Sequence, residues 1–414
     1  MNKKYLLAAF TIFIFFSANA QWTWLKKTSL PAFKRDRAFA FSIGNFGYFG
    51  TGLDSNNIVL NDFWRYDSVS NTWSQMANFG GVARNYAVGI SINGKGYAGL
   101  GLDDSDAVSG NAMEDWWQYD PVLNSWTAKA TYANGTTFGN YKNAAAAVNG
   151  KGYVVTGRTY YGVPHREVWE YDPINDTWTQ KNMFPPIGGR NGATAFGLNG
   201  KIYVGCGSDD NYFYNDFWEY NPSNDSWLQR ANFPGTERSG AVSFSLDTCG
   251  FIGLGLDGGY AEDFWKFNPN TNHWSYVNLF DGAGRRCASC FTIGNRAYVC
   301  SGKTSTGNKR DLWQLHFTIQ WAADANNLTG ENIFTVFPNP AQNEIQITNH
   351  KLKSGDEIKI FNLSGQLVFD ENVTSIEHPT FNIQHLANGI YLVQLSSTEN
   401  SNVFASQKIT ILHD

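Results

Sequence analysis

Five arginines and one asparagine recur at the same place in a repeated segment, and their type and spacing suit ligand binding. Each precedes the Tyr or Phe of the next predicted strand by 13 residues: Arg35, Arg84, Asn140, Arg190, Arg238 and Arg285. Arginine carries a planar guanidinium that matches carboxylates and phosphates bidentately. If the fold gathers these positions, they predict a site for a carboxylate, a phosphate or an acidic sugar.

Acidic and aromatic residues follow in the loop after the second strand of each repeat. The acids are Asp54, Asp103, Asp104, Asp209, Asp210 and Asp257, and the tyrosines are Tyr160, Tyr161, Tyr212, Tyr214 and Tyr260. We favour structural pairing of these acids with the arginines, and an open anion site is the alternative. Tyrosines beside polar groups suit sugar faces or peptides, although they also cap strands. Tyr161 and Tyr212 join the candidate ligand-binding set.

Catalytic and metal chemistry has weaker support in the sequence. The central region holds His165, His273 and His316, which form no converging ligand set, so we expect neither a metal nor a cofactor. Glu237 beside Arg238 is the candidate acid–base pair, but an adjacent pair in a loop is more often solvated. Among five cysteines, Cys290 and Cys300 flank a predicted turn and form the favoured disulfide pair.

The elements that position these residues follow from a repeated phrase. "NDFWRYDSVSNTW" at Asn61 returns as "EDWWQYDPVLNSW", "REVWEYDPINDTW", "NDFWEYNPSNDSW" and "EDFWKFNPNTNHW". The first tryptophans lie 53, 52, 49, 47 and 48 residues apart, from Trp64 to Trp313. Upstream of each phrase, two short apolar strands flank a turn such as Asn199-Gly200. Four strands in about 50 residues predict one blade of a β-propeller.

Six copies of the first three strands predict six blades, whose paired tryptophans pack between neighbouring blades. The outer-strand phrase also occurs at the N-terminus as "QWTWLKK", so we predict that Trp24 lies in the outer strand of the last blade and closes the ring. "FTIQW" near Trp321 competes for that place. Because the first strands begin on the same side, the recurring arginines and Asn140 should surround one mouth of the central channel.

The chain ends bear on where the protein acts. Residues 1–20 combine a basic start, an apolar run and "SANA", which predicts a signal peptide. No later stretch is apolar enough to span a membrane. The 414 residues carry a net charge of −5, which disfavours a broad nucleic-acid surface.

A second domain follows the propeller. Residues 326–333 are predicted to be a linker, after a propeller over 21–325. Residues 334–414 alternate apolar positions, including Ile345/Ile347, Ile358/Ile360 and Ile409/Ile411, which predicts a small Ig-like β-sandwich. The protein is therefore expected to be all-β.

Both regions resemble known families. Residues 21–325 resemble kelch repeats in the Arg before the first strand, the Tyr-x-x-x-Gly and the paired tryptophans. Residues 334–414 resemble the type A sorting domain of the type IX secretion system of Bacteroidota. The residues that carry the second resemblance are Pro338, Asn339, Pro340, Gly365, Gly389 and Tyr391. This resemblance implies export through the periplasm to the outside or the outer-membrane surface, with the type IX machinery as a partner.

Together these features predict a secreted or surface-displayed binding module with a glycan or protein ligand at the arginine-lined mouth. The alternative is a carbohydrate-active enzyme, either a sugar epimerase or mutarotase or a lyase. A third interpretation is a scaffold whose blade sides bind other surface proteins, since a propeller fold alone does not determine function.

Overall fold

The computed structural model describes residues 16–104, 110–135, 139–186, 188–323, 335–348, 352–362, 366–374, 379–396 and 403–413. It contains two compact units: residues 24–316 form one, and residues 1–23 with 317–414 form the other. The predicted linker and most of the predicted signal peptide lie outside the described residues, so both stay predictions.

The propeller consists of four-stranded antiparallel sheets, six of which occur in the described part of the chain; the third and outer strands of the sixth sheet continue into residues 317–323 and 16–23. From the inner to the outer strand, the blades are Phe39–Ile43, Phe46–Gly50, Phe63–Asp67 and Thr72–Gln75; Val88–Ile92, Lys95–Gly99, Trp116–Asp120 and Ser125–Lys129; Ala144–Val148, Lys151–Thr159, Pro164–Asp172 and Thr177–Gln180; Thr194–Leu198, Lys201–Gly205, Phe217–Asn221 and Ser226–Gln229; Val242–Leu246, Cys249–Gly253, Asp263–Asn268 and His273–Leu279; Ser289–Ile293, Arg296–Cys300, Leu312–Ala323 and Phe16–Lys27.

Short elements border the blades. They are Arg35–Asp36, which pairs with Leu53–Asp54; Lys303–Thr304, which pairs with Gly307–Asn308; Asn140–Tyr141, which pairs with the second strand of blade three; and a 3₁₀ turn at Tyr132–Gly135. Each inner strand contacts the inner strands of the two neighbouring blades, and Ser289–Ile293 contacts Phe39–Ile43, which closes the circle. The predicted all-β propeller with six blades is confirmed.

The N-terminus supplies the outer strand of blade six, as predicted, and "FTIQW" belongs to the third strand of the same sheet. Trp24 is buried against blade five, with ring centroids 4.8 Å from those of both Phe264 and Phe280. In blade two, Trp126 packs in the same way on Phe63 and Phe79 of blade one. Trp24 therefore repeats the between-blade contact of the other outer strands.

The repeated phrase also encodes a link between blades. Asn124, in the left-handed region with a φ of 49°, accepts hydrogen bonds from Tyr119 Oη at 2.9 Å and from Ala77 N of the preceding blade at 3.0 Å. Trp126 Nε1 returns a hydrogen bond to Ala77 O at 3.3 Å. The same polar and aromatic pair therefore holds each turn to the blade before it. The corresponding turn residues are Asn71, Asp176, Asp225 and Asn272.

The C-terminal unit contains two antiparallel sheets, and its predicted strands are confirmed where the structure describes them. One sheet has the order Thr335–Phe337, Glu344–Thr348 and Thr380–Asn382; the other has Leu367–Asn372, Glu357–Asn362, Gly389–Ser396 and Val403–Ile411. Their buried aliphatic side chains form one core, which includes Ile345, Ile360 and Ile409.

The sorting-motif residues shape this unit. The Phe337–Pro338 and Asn339–Pro340 peptide bonds are both cis. The side chain of Asn339 accepts a hydrogen bond from Thr410 N at 2.8 Å. Tyr391 Oη donates to Ala387 O at 2.8 Å, and Gly389 begins the strand that carries Tyr391. Gly365 lies outside the described residues.

The favoured disulfide is not formed, because all five cysteines are free. In the hairpin, Cys290 lies opposite Val299, and Ser289 lies opposite Cys300. This register is one residue away from direct pairing, so the two thiols point to opposite faces of the sheet.

Candidate functional site

The five recurring arginines are buried in ion pairs with acids that the sequence analysis did not select. Their partners are the acids two residues before the first Trp of each phrase: Asp62, Asp115, Asp216, Asp263 and Asp311. In blade six, Arg285 donates through both terminal nitrogens to Asp311 at 2.6 and 3.0 Å, and to Ser301 O at 2.8 Å. The arginines are at most 1% exposed. Their guanidinium groups therefore stabilise the blades and do not face a ligand.

Aromatic residues complete each ion pair. Trp313 Nε1 donates to the same Asp311 carboxylate at 2.8 Å, and the Arg285 guanidinium lies 4.9 Å from the ring centroid of Phe280 in the preceding blade. Burial by itself raises the pKa of Asp311, but Arg285 and Trp313 outweigh burial and hold that pKa below its usual value. The Asp-Phe-Trp part of the phrase is therefore the counterpart of the upstream Arg.

The acids expected to pair with these arginines form local turns or other contacts. Asp54 accepts hydrogen bonds from Asn56 N and Ile58 N, and Asp209 accepts them from Asn211 N and Tyr212 N. Asp103 accepts a hydrogen bond from Asn111 N, and Asp257 accepts one from the Thr236 hydroxyl. Asp210 forms an ion pair with Arg158. The expected partner assignment was wrong: Asp54, Asp103 and Asp209 are used within their own loops, and Asp210 and Asp257 have other partners. Asp104 O accepts a hydrogen bond from the side chain of Asn85.

Blade three has Asn140 in place of the recurring arginine, and its polar contacts differ from those of the other blades. Asn140 is 1% exposed. With its side-chain amide in the orientation that satisfies both of its polar atoms, its nitrogen donates to His165 Nε2 at 3.0 Å and to Arg158 O at 3.1 Å. Burial lowers the pKa of His165 to about 4, so this imidazole is neutral and can accept. Tyr132 replaces the Phe found in most linkers, and its buried hydroxyl has no hydrogen-bond partner among the described residues. Asn140 therefore substitutes a neutral network for the ion pair.

The residues that surround the channel mouth lie two positions after each recurring arginine or Asn140. They have left-handed φ values between 50° and 64°: Arg37, Tyr86, Lys142, Gly192, Gly240 and Cys287. Backbone hydrogen bonds link them from blade to blade, for example from Arg37 N to Cys287 O at 3.0 Å and from Gly240 N to Gly192 O at 2.8 Å. We call these six residues the axial ring. Four of these six residues are not glycine. A left-handed φ at a non-glycine residue is uncommon and cannot be recognised from the sequence, so the sequence analysis missed these positions.

Cations converge at one side of the axial ring. The Arg37 guanidinium and the Lys142 ammonium lie 4.6 and 4.9 Å from the ring centroid of Tyr86. Burial lowers the pKa of Lys142 to about 8; the Cys287 thiol opposes this shift, and Arg158, Arg37 and Arg286 add to it. Burial also raises the pKa values of Tyr86 and Cys287. The mouth is therefore basic, although the residues that make it basic are not the recurring arginines.

The balancing negative charge is small. Asp36 lies 3.4 Å from Arg37 Nε, and burial raises its pKa against the opposing effects of Arg37, Lys303 and Arg286. Arg286 Nε is buried and has no hydrogen-bond partner among the described residues. We call Arg37, Lys142 and Arg286 the axial cations.

The two tyrosines of the candidate ligand-binding set are exposed. Tyr161 is 68% exposed at the tip of a hairpin in blade three, and Tyr212 is 69% exposed in a loop of blade four. Glu237 and His273 are also exposed, whereas Arg238 is buried, so Glu237 and Arg238 do not form an open acid–base pair. Across the described ranges, no group of three or more His, Cys, Asp or Glu residues could hold a metal ion.

Known protein families match parts of both units. The kelch motif matches residues 50–80 and 189–234. The propeller is of the kelch type. The secretion system C-terminal sorting domain matches residues 335–411, so the kelch propeller precedes a type IX sorting domain, as the sequence predicted. Such a domain implies interaction with the type IX secretion machinery and export to the cell surface or the extracellular space.

A solved structure, that of YjhT, matches with a TM-score of 0.58 at 16% sequence identity, over 71% of this chain and 99% of that chain. At this identity the similarity shows the fold alone. No curated protein matches. Among the described residues, no helix has the length and apolar character needed to cross a membrane.

Proposed function

We propose that the kelch propeller is an exported binding module, whose ligand presents a carboxylate, sulfate or phosphate to the axial cations. The observation that carries this proposal is the convergence of Arg37 and Lys142 on one ring, Tyr86, beside Arg286. An aromatic face orients cations, and guanidinium groups bind anions bidentately.

The charge balance supports an anionic ligand. The ionisable groups that shift the pKa of Lys142 are three cations and one thiol. Like charges held together in a partly buried place destabilise the fold, and a bound anion relieves that repulsion. The ion pairs within the blades use the recurring buried arginines rather than these cations, and of the axial cations Arg37 pairs with Asp36.

The location supports an extracellular ligand. The C-terminal sorting domain implies export, so molecules outside the cell are the ones that this mouth meets. The recurring arginines stabilise the ends of the blades through their ion pairs, and the axial ring provides the surface that would contact the ligand.

Binding of the full chain to acidic oligosaccharides and acidic peptides, compared with neutral counterparts, tests the proposal. An Arg37→Gln/Lys142→Gln variant should lose binding, while Lys201→Gln, which changes a cation at the opposite end of the strands, should retain it. Binding by the wild type should weaken as salt is added, because exposed charges are screened. Equal binding by the wild type and the double variant would show that the mouth is not the site.

A further inference from the structure

A groove between blades two and three offers a second site. We infer that it binds neutral saccharide, independently of the charge at the axial ring. Its wall is a hairpin tip that carries Tyr160 and Tyr161, and its opposite side includes Val82, Asn111 and Met113. The cavity has a volume of about 550 Å³, which lies within the range of small-molecule sites.

The hairpin is a departure from the repeat. The second strand of blade three, Lys151–Thr159, has nine residues, whereas the same strand has five residues in blades such as Lys201–Gly205 and Cys249–Gly253. The connection itself is not longer, because Tyr153 and Trp169 lie 16 positions apart, as do Tyr48 and Trp64 in blade one. Pairing of Gly157 with His165 and of Arg158 with Pro164 instead turns most of this connection into a hairpin. The hairpin places Tyr160 and Tyr161 at its tip.

The tip is held rigidly although it is exposed. Tyr160 N donates to Gly139 O at 3.1 Å, and Gly162 N donates to Thr159 O at 2.9 Å. Tyr160 and Tyr161 are 39% and 68% exposed, with ring centroids 5.3 Å apart and ring planes at 76°. Two perpendicular rings fixed at a groove edge present an apolar face at low conformational cost.

The polar groups of the groove suit an uncharged ligand with hydroxyls. Arg84, the cation of the lining, is neutralised by Asp115, and Glu114 accepts a hydrogen bond from Gly139 N at 2.9 Å. Asn111 is held in place by hydrogen bonds to Asp103 at 2.6 Å from its backbone nitrogen and at 3.0 Å from its side-chain nitrogen. A sugar combines a C–H face that packs on a tyrosine with hydroxyls that bond to backbone and side-chain oxygens. An acidic ligand would find no unpaired cation among these lining residues, and Glu114 would repel it.

The groove adjoins the axial ring. A Cβ at Gly162 of the hairpin would lie 4.0 Å from Tyr141 Oη and 3.8 Å from Arg158. Lys142 in turn lies 5.9 Å from the Tyr141 ring centroid. The hairpin that carries the two tyrosines therefore lies near Lys142, and a neutral saccharide would use the groove alone.

The test uses neutral hexasaccharides of glucose, mannose, xylose and N-acetylglucosamine with the full chain, followed by saturation-transfer NMR and calorimetry. We expect at least one to bind, and a Tyr160→Ser/Tyr161→Ser variant to bind it at least about tenfold more weakly, which is roughly 1.4 kcal/mol. Tyr276→Ser is the matched control, because Tyr276 is 50% exposed on an outer strand away from the groove. The control should bind as the wild type does.

Two results would overturn the inference: no binding of any of the four probes, or equal binding by the double tyrosine variant. Thermal unfolding of each variant checks that the exposed substitutions leave the fold intact. Because the probes are uncharged, their result is separate from that of the acidic ligands, which tests the axial cations.

Discussion

Arg190 binds Asp216 through both terminal guanidinium nitrogens, at 2.6 and 3.0 Å, and shares this carboxylate with Trp218 Nε1 at 2.8 Å. Arg190 Nη1 also donates to Cys206 O at 3.0 Å. This ion pair therefore joins the segments that flank three strands of blade four. The recurring arginine and the recurring tryptophan phrase are two halves of one structural device.

Removing the acid of this pair should destabilise the propeller strongly. Asp216→Ala leaves the Arg190 guanidinium buried without its counterion, which typically costs about 3–5 kcal/mol. Urea unfolding of the full chain, followed by tryptophan fluorescence, measures the loss. Lys95→Ala is the control, since Lys95 pairs with Asp120 at the surface and should contribute less than about 1 kcal/mol. Similar small losses in both variants would contradict the structural role.

Closure by the N-terminal strand should depend on Trp24. Trp24→Ala removes its contacts with Phe264 and Phe280 and its hydrogen bond to Asn278 Oδ1 at 3.2 Å, so we expect a loss of about 3–5 kcal/mol. Leu25→Ala, at a 47% exposed neighbour, should change stability little. Hydrogen exchange should rise in blades five and six in the first variant alone. Unchanged exchange there would argue that the ring does not need this strand.

The buried hydroxyl of Tyr132 should be dispensable. Its Oη has no hydrogen-bond partner among the described residues, and other linkers have Phe at this place. Tyr132→Phe removes an unsatisfied polar group, so stability should stay equal or rise by about 1 kcal/mol. Thermal unfolding provides the measurement. A clear loss of stability would show that a bound water or ion satisfies this hydroxyl.

Anion binding at the mouth should weaken as the pH rises through about 8. The folded-state pKa of Lys142 lies at about 8, below its ordinary value of 10.5, because burial disfavours the ammonium. The stability linked to this shift is therefore present above pH 10.5 and is lost as the pH falls through 8, whereas binding needs the charged form. Titrations with an acidic oligosaccharide at pH 7 and pH 9 should differ in the wild type but not in Lys142→Gln. Identical affinities at both pH values in the wild type would exclude Lys142 as a contact.

The protein should have no disulfide bond, although its sorting domain implies an oxidising destination. All five cysteines are free, and Cys206 and Cys300 are buried within the propeller. Thiol titration of the unfolded chain without reductant should yield five thiols. A yield of three would mean that a pair forms despite the observed register.

The sequence by itself determined the repeats, and through them the fold. The spacing of Trp64, Trp117 and the later tryptophans gave blade number and blade order, because each blade must bury the same aromatic face against its neighbour. The N-terminal copy of the outer-strand phrase likewise predicted closure through Trp24. These features are local and periodic, so they can be read along one chain.

Only the tertiary structure decided which charges are open to a ligand. Arg190 and Lys142 are both cations near the start of an inner strand, yet one is buried in an ion pair and the other joins the axial ring. The difference arises because Asp216 lies 26 residues away along the chain but at bonding distance in space. The disulfide prediction failed for a similar reason, since strand register is set by the whole hairpin and not by the spacing of Cys290 and Cys300.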